Sequence, residues 1–345
     1  MSISILITGG AGFIGSNFVR FCLSKGLHPI VVDSFTYAGC PETLQIIEGE
    51  FGCNIQTHNL DINQTKDLLK ILQTDRPKYV VNFAAESHVD RSIAGAASFV
   101  YTNFNGTFSL LNAFRDYFEA GSSDEQRTLR YLQISTDEVY GSLKKNEQSF
   151  SENSQYQPNN PYSATKAGAD HLVRSFANTY KLPLLITNCS NNFGRFQHPE
   201  KLIPTIIRRA LNRQPITIYG DGSNIRDWLH VDDHCDAVLT VLKRGTPGER
   251  YNIGGGSEIS NIEITQIICT LLDELVPACS PYADLIEFVD DRKGHDFRYS
   301  INCDKIFQDL GWRAKRTFAE ELRNVVTWNV ENKAWTESAL ARSAS

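Results

Sequence analysis

The chain has no apolar run of membrane-spanning length, no band of Lys and Arg, and no Cys-x-x-Cys pair. Each absence removes a class of function. A spanning helix needs about 20 consecutive apolar residues, so a role built on such helices is excluded. Met1 leads straight into a strand-like segment, so no secretory leader is expected. The balance of 34 Lys and Arg against 40 Asp and Glu gives a net charge of −6, with the cations scattered. The basic footprint of a nucleic-acid binder is therefore missing. The eight cysteines (Cys22, Cys40, Cys53, Cys189, Cys235, Cys269, Cys279 and Cys303) keep no regular spacing, and most sit in apolar runs. They read as reduced core thiols of a cytoplasmic protein. The Asn-x-Thr triplets at Asn63 and Asn105 are then chance matches. There is no internal repeat or low-complexity segment.

What is present is an alternating chain of 345 residues with 41% hydrophobic content, enough for one large domain or two unequal ones. Strands are expected at Ser4 to Thr8, Pro29 to Val32, Ile55 to His58, Tyr79 to Phe83, Tyr131 to Ser135 and Leu184 to Asn188. Helices are expected near Gly12 to Lys25, Thr65 to Gln73, Ser98 to Phe118 and Tyr162 to Tyr180. This alternation predicts an α/β fold, a doubly wound parallel sheet of Rossmann type with helices on both faces. Past Asn188 the pattern loosens into shorter strands (Ile216 to Tyr219, Tyr251 to Ile253, Ile286 to Val289) mixed with helices. The expected division is a dinucleotide domain over 1–190 and a smaller α/β substrate domain over 191–337, with one element free to return to the main sheet. Lys144 to Pro161 reads as a polar surface loop placed to gate a site. The tail Ser338 to Ser345 is expected to fray.

The first strand runs into TGGAGFIGS, with Gly9, Gly12 and Gly15 spaced three apart. Strand, glycine turn and helix form the setting in which backbone N–H groups cradle a pyrophosphate. The second strand ends at Asp33, 18 residues after Gly15. An acid there accepts hydrogen bonds from a ribose diol and repels a 2′-phosphate, which favours NAD over NADP. The alternative is a glycine turn without a ligand.

Tyr162 and Lys166 lie one helical turn apart on one face. A cationic amine beside a phenol favours the phenolate, so this pair reads as a general base. Thr136, Asp137 and Glu138 follow the fifth strand in the run TDEVYG. A simple alcohol oxidation needs one base; a further Asp-Glu couple points to proton transfers at more than one carbon. Alone, Asp137 reads better as a turn cap and Glu138 as a solvated side chain; together with Thr136 and the Tyr162/Lys166 pair, catalysis is the better reading. His230 and His234, with Asp232, Asp233 and Cys235 close by, have the spacing of a metal face, but spacing places no third ligand and no metal is expected.

TGGAGFIGS, the Tyr162/Lys166 pair and TDEVYG together make the chain resemble the extended short-chain dehydrogenase/reductase family, and within it the nucleotide-sugar 4,6-dehydratases. Further matches are AAESHVDRSI, NCSNNFG, PEKLIP, IRDWLHVDDH, YNIGG and DRKGHDFRY, so the likeness runs from about Ile3 to Trp335. The resemblance implies a lyase that dehydrates dTDP-glucose with tightly held NAD. The alternatives are a UDP-, CDP- or GDP-linked sugar, or a nucleotide-sugar 4-epimerase. It implies that Tyr162 removes the C4 hydroxyl proton, Lys166 holds the ribose, Thr136 bonds the C4 oxygen, Glu138 takes the C5 proton and Asp137 protonates the departing C6 hydroxyl. It places Gly9, Gly12, Phe13, Ile14, Gly15, Asp33, Thr36, Asp61, Ile62, Ala84, Ala85, Ser87, Thr102, Tyr162, Lys166 and Asn192 on the cofactor. On the nucleotide sugar it places Ser87, Thr136, Asn191, Lys201, Leu202, Tyr219, Arg226, Asn261, Arg292 and His295, with Arg226 and Arg292 as phosphate ligands. A homodimer is implied, paired through the helices Ser98 to Phe118 and Tyr162 to Tyr180. The chain departs from the family pattern at Arg195 and Lys293, where the family usually has Pro. Arg195 is expected to add charge near the nucleotide pocket.

Overall fold

Period-two side-chain alternation on buried strands needs cover on both faces, and this chain supplies it. The computed structural model describes residues 3–291 and 294–344. Its strands are β1 (Ser4–Thr8), β2 (His28–Asp33), β3 (Gln56–Asn59), β4 (Tyr79–Asn82), β5 (Arg130–Thr136), β6 (Leu184–Cys189), β7 (Asn191–Phe193), β8 (Ile216–Tyr219), β9 (Ile225–His230), β10 (Arg250–Ile253), β11 (Glu258–Ser260) and β12 (Ile286–Val289). Seven of them form one sheet in the order β10-β6-β5-β4-β1-β2-β3. Every neighbouring pair in it is parallel. Along β1, Ile5 and Ile7 enter the core on one face, while Leu6 enters the core on the other. Strands β4 and β6 are buried along their whole length.

The order reverses between β1 and β4, and in such sheets a crevice opens there, outside the carboxyl ends of the strands. The sheet and the helices at 12–25, 65–73 and 162–180 stand within about two residues of their expected bounds. A third hydrophobic core joins β8 and β9 to helices Leu202–Leu211, Asn261–Leu275 and Phe318–Glu331. Strand β10 returns to the main sheet, with Arg250 opposite Ile186 on β6.

Helix Pro161–Tyr180 begins on a capping box: Asn160 Oδ1 accepts from the Ser163 N–H at 2.9 Å, and Pro161 opens the first turn. The box fixes where Tyr162 and Lys166 stand. The single helix expected over 98–118 is instead Ala97–Phe99, a π-helical stretch Val100–Gly106, and an α-helix Thr107–Ala120. Asn103 on the wide turns is buried. Its amide accepts from Glu86 N at 2.8 Å and donates to Glu86 O and Thr165 Oγ1, both at 3.0 Å. The π geometry thereby ties the segment after β4 to the Tyr162 helix.

One expectation is overturned. The tail does not fray from Ser338: Lys333–Ala344 is a helix, because Trp335 and Ala339, one turn apart, both bury. The segment from Lys144 is a surface loop as expected, exposed over 144–148, and it is fastened at Phe150, whose N donates to Ser300 O at 2.9 Å and whose O accepts from Asn302 N at 2.7 Å. Among the described residues no helix is long and apolar enough to cross a membrane.

Candidate active site

One cleft runs along the carboxyl ends of β1, β4, β5 and β6. It is lined by Gly9, Gly12, Phe13, Ile14, Gly15, Ala85, Ser87, Thr136, Asp137, Glu138, Tyr162, Lys166, Asn191, Asn192 and Lys201. All five residues expected to carry chemistry therefore share one wall system with the glycine turn. Of the other expected residues, Asp33, Thr36, Asp61, Ile62, Ala84, Thr102, Leu202, Tyr219, Arg226, Asn261 and His295 do not line it. Arg292 and Lys293 lie outside the described residues.

The glycine turn is built for close approach. Gly9 has φ +67°, and a Cβ there would come within 2.6 Å of Ala84 N. A Cβ on Gly15 would sit 2.1 Å from Gly9 O, so the helix can pack on the turn only without one. Gly12 caps helix Phe13–Ser24 with no side-chain hydrogen bond. The first-turn N–H groups thus line the cleft as uncapped donors, the setting for an anion. At the end of β2 the Asp33 carboxylate accepts from Ala11 N at 2.9 Å and Phe35 N at 2.8 Å, and each oxygen keeps a second lone pair. Burial raises the Asp33 pKa, against the pull of those N–H groups and of Arg342. This set of donors and acceptors fits a dinucleotide.

The reacting end is dry and crowded with titratable groups. Thr136 Oγ1 lies 3.3 Å from Asp137 Oδ1 and accepts from Glu138 N at 3.3 Å. Asp137 is 2% exposed, and its second carboxylate oxygen, Oδ2, is buried with no hydrogen-bond partner. Burial first, then the negative charges of Glu138 and Asp227, push its pKa well above the carboxylate range. That direction favours the protonated carboxyl over the carboxylate. Lys166 Nζ donates to Ile134 O at 2.7 Å. Burial lowers the Lys166 pKa, and Asp170 opposes that fall. In the protein alone, burial and then Glu138 drive Tyr162 well above its ordinary value, while a hydrogen bond with Thr136 works the other way. The lowering expected from Lys166 is not what sets the direction here; desolvation of the phenol is the largest cause.

The remaining expected residues fall around this wall. Asp61 Oδ1 accepts from Asn63 N at 2.8 Å, and Ile62 packs where a Cβ on Gly106 would strike its Cδ1 at 2.5 Å. The neighbouring Thr102 stands on the π-helical stretch. Lys201 Nζ donates to Ser87 O at 3.0 Å, at the foot of helix Leu202–Leu211. Asn191 Oδ1 is buried in the cleft wall with no hydrogen-bond partner. The Arg226 guanidinium donates to the carbonyls of Ile225 and Asp296 at 2.8 and 3.0 Å and lies 4.3 Å from the Tyr299 ring centroid. Tyr219 is exposed and meets His295 edge-on, and His295 Nδ1 pairs with Asp291 at 2.6 Å. Asn261 opens helix Asn261–Leu275 with its Oδ1 buried and unpartnered.

His230 and His234 serve the scaffold. His230 Nδ1 accepts from Asp232 N at 3.2 Å, capping helix Val231–Arg244. His234, its pKa pushed down to about 3 by burial, lies 2.9 Å from Asn192 Oδ1 and orients that side chain. Arg195 does not charge the pocket. Its carbonyl accepts from Asn17 Nδ2 at 2.9 Å and its side chain turns to Glu50 at 3.8 Å, while the next residue, Phe196, lines the cleft. Sequence reasoning missed part of the wall: Ala38, Cys40, Thr43, Phe196, Gln197, His198, Glu200, Trp335 and Ala339. Most come from loops and helices whose spacing carries no motif, although Glu200 lies within the PEKLIP match.

A family model described as GDP-mannose 4,6 dehydratase matches residues 6–325. The chain belongs to that family. It is 49% identical over 331 residues to a probable dTDP-glucose 4,6-dehydratase of Sinorhizobium fredii, covering 96% of this chain and 94% of that protein. It is 48% identical over 337 residues to the dTDP-glucose 4,6-dehydratase of Xanthomonas campestris, covering 97% and 95%. Among solved structures, a dTDP-glucose 4,6-dehydratase from Streptomyces venezuelae with NAD and TYD bound matches with a TM-score of 0.88 at 42% identity. That match covers 98% of this chain and 100% of that one.

Proposed function

We propose that this chain is an NAD-dependent dTDP-glucose 4,6-dehydratase, a hydro-lyase that forms dTDP-4-keto-6-deoxyglucose. The observation that carries the reading is the placement of Asp137 and Glu138 in the same cleft as Tyr162, Lys166 and the glycine turn. A 4-epimerase would need neither acid. The dinucleotide is held by the glycine turn and the first turn of helix Phe13–Ser24, with Asp33 on a ribose diol. When bound, NAD accepts hydride from sugar C4 and returns it to C6.

The side chains then divide the proton work. Tyr162 takes the C4 hydroxyl proton, helped by the Lys166 charge and by Thr136 at the C4 oxygen. The C4 ketone acidifies C5, and Glu138 removes the C5 proton. Asp137, its protonated form favoured by burial, delivers its proton to the departing C6 hydroxyl, so the group leaves as water. As hydride reaches C6, Glu138 gives its proton back to C5; the proton held by Tyr162 then balances the one lost by Asp137, whose carboxylate stays close to Thr136.

Residues 1–190 serve chiefly the cofactor and 191–337 chiefly the nucleotide sugar. We assign Ser87, Asn191, Lys201 and Leu202 to the sugar side, and Tyr219, Arg226, Asn261, Arg292 and His295 to the nucleotide diphosphate. On the cofactor side, Thr36, Asp61, Ile62, Ala84, Ala85, Thr102 and Asn192 frame the ring and ribose contacts. None of the eight cysteines is in a disulfide, which supports a reducing, cytoplasmic setting. Exposed apolar side chains on the helices at 97–120 and 161–180 support a homodimer through that face.

The test is turnover of a panel of nucleotide glucoses, with the keto sugar read by its absorbance in alkali. Turnover of dTDP-glucose above the UDP-, CDP- and GDP-linked sugars is expected. Equal or better turnover of UDP-glucose rejects the thymidine reading, and no keto product from any of them rejects the dehydratase.

A further inference from the structure

The Asp33 end of the cleft is closed by an element that the proposed proton transfers do not use. Helix Lys333–Ala344 brings Trp335 and Ala339 into the same wall as Gly12 and Ile14. Trp335 Nε1 donates to Thr43 Oγ1 at 2.9 Å, and both side chains are buried. The indole ring meets Phe196 at 5.6 Å and Trp328 at 5.2 Å, each near edge-on. One turn on, Ser338 Oγ donates to Glu42 Oε1 at 3.2 Å, and Arg342 Nη2 donates to Phe35 O at 3.1 Å. These contacts fasten the last helix to the loop after β2 and to helix Pro41–Phe51, the elements beside Asp33.

We propose that helix 333–344 is a clasp over the cofactor cleft, and that a bound dinucleotide leaves only when this helix lifts. The clasp rests on the proposed function solely in taking the cleft to hold NAD. Its packing suits a part that opens alone. The helix joins a small cluster of Cys40, Phe196, Trp335 and Ala339 set apart from the main cores, so it can detach at a fraction of the cost of global unfolding. A redox-neutral cycle gives the clasp a purpose: if the reduced cofactor escaped between its two half-reactions, the oxidised sugar would be stranded.

The experiment measures release of NADH from the full-length protein with no sugar present, by the loss of its fluorescence on mixing with excess NAD. Trp335→Ala removes the wall. Ser338→Pro breaks the helix and its docking while leaving Trp335 in the chain. Each variant is expected to release NADH at least ~10-fold faster than the parent, as a lost buried aromatic contact of about 1.4 kcal/mol or more implies. Parental rates in both variants overturn the clasp. Hydrogen exchange on the unmodified protein decides independently of how the variants fold. Amides of 333–344 are expected to exchange more slowly once NAD is bound, and unchanged exchange overturns the proposal. Because no sugar enters these measurements, they stand or fall apart from the dehydratase assay.

Discussion

Asp170 stands one helical turn beyond Lys166 and is its buried counter-charge. Its Oδ2 accepts from Tyr156 OH at 2.7 Å, Ser135 Oγ at 2.8 Å and Asn188 Nδ2 at 3.2 Å. Tyr156 in turn lies under Arg250, 4.5 Å from its ring centroid. The groups acting on Lys166 are thus Asp170 and Cys189, with Arg250, Tyr156 and Ser135 holding Asp170 in place.

This arrangement sets a pH dependence. Burial lowers the Lys166 pKa, and the Asp170 charge raises it. Asp170→Asn leaves burial less opposed, so Lys166 loses its proton at lower pH and its support of the Tyr162 phenolate goes with it. The alkaline limb of the kcat/KM profile is therefore expected to move to lower pH. Asp170→Glu keeps the charge and should restore most of the profile. A profile identical to the parent in the Asn variant would show that Asp170 only packs.

Asp137 and Glu138 should fail in different ways. Burial and the negative charge of Glu138 raise the Asp137 pKa well above the ordinary carboxylate range, which suits an acid that must donate a proton. Asp137→Asn removes that proton source, and keto-sugar formation should fall by roughly 10²–10⁴. Glu138→Gln should cost a similar factor, yet leave the first oxidation intact. The near-ultraviolet absorbance of reduced nicotinamide should then build up when this variant meets substrate. Loss of that absorbance together with product would put Glu138 in the oxidation step instead.

The sheet could be read from the chain because a doubly covered parallel strand leaves a plain trace, a short apolar run ending in a polar residue. Thr8, Asp33 and Thr136 all mark carboxyl ends of strands, and Thr136 lines the cleft there. Thr136, Asp137 and Glu138 were legible as a run because no core position calls for two adjacent acids. The π-helical stretch at Val100–Gly106 was not, since one wide turn hardly alters a helical apolar pattern over so short a span. The clasp was missed for a related reason. KAWTESALARSA is rich in helix formers but offers little apolar surface beyond Trp335, Ala339 and Leu340, so its terminal position reads as fraying while burial against Thr43 and Phe196 holds it down. Arg195 misled because a charge after Gly194 reads as pocket-facing, whereas Glu50, far away in the chain, draws it outward.

Gly15 gives a stability test of the turn. A Cβ there would overlap Gly9 O at 2.1 Å, against backbone that cannot yield like a flexible side chain. Gly15→Ala is expected to destabilise by about 1–3 kcal/mol or more, as overpacking does, and the thermal denaturation midpoint should fall by several degrees. The same variant should purify with little bound NAD, because the turn and the first N–H groups of the helix move together. A melting temperature equal to the parent's would mean that the helix shifts freely and that Gly9 O does not hold it in place.

Tyr101 is 52% exposed and Phe108 47% exposed, and with Val100, Ile93 and Tyr180 they leave apolar side chains uncovered along neighbouring helices. Phe108 also meets Phe176 edge-on at 6.1 Å, which joins the helix at 107–120 to the one at 161–180 in a single face. Two copies joined face to face would bury it as a four-helix layer. Central aromatic residues of such an interface contribute about 2 kcal/mol or more each, so replacing both should weaken association by roughly 10³-fold. The parent is expected to elute as a dimer at micromolar concentration on a sizing column. Tyr101→Glu with Phe108→Glu should elute as a monomer, because two charges would then have to lose water in an apolar seam. A parent that elutes as a monomer, or a double variant that stays dimeric, would place the interface elsewhere or remove it.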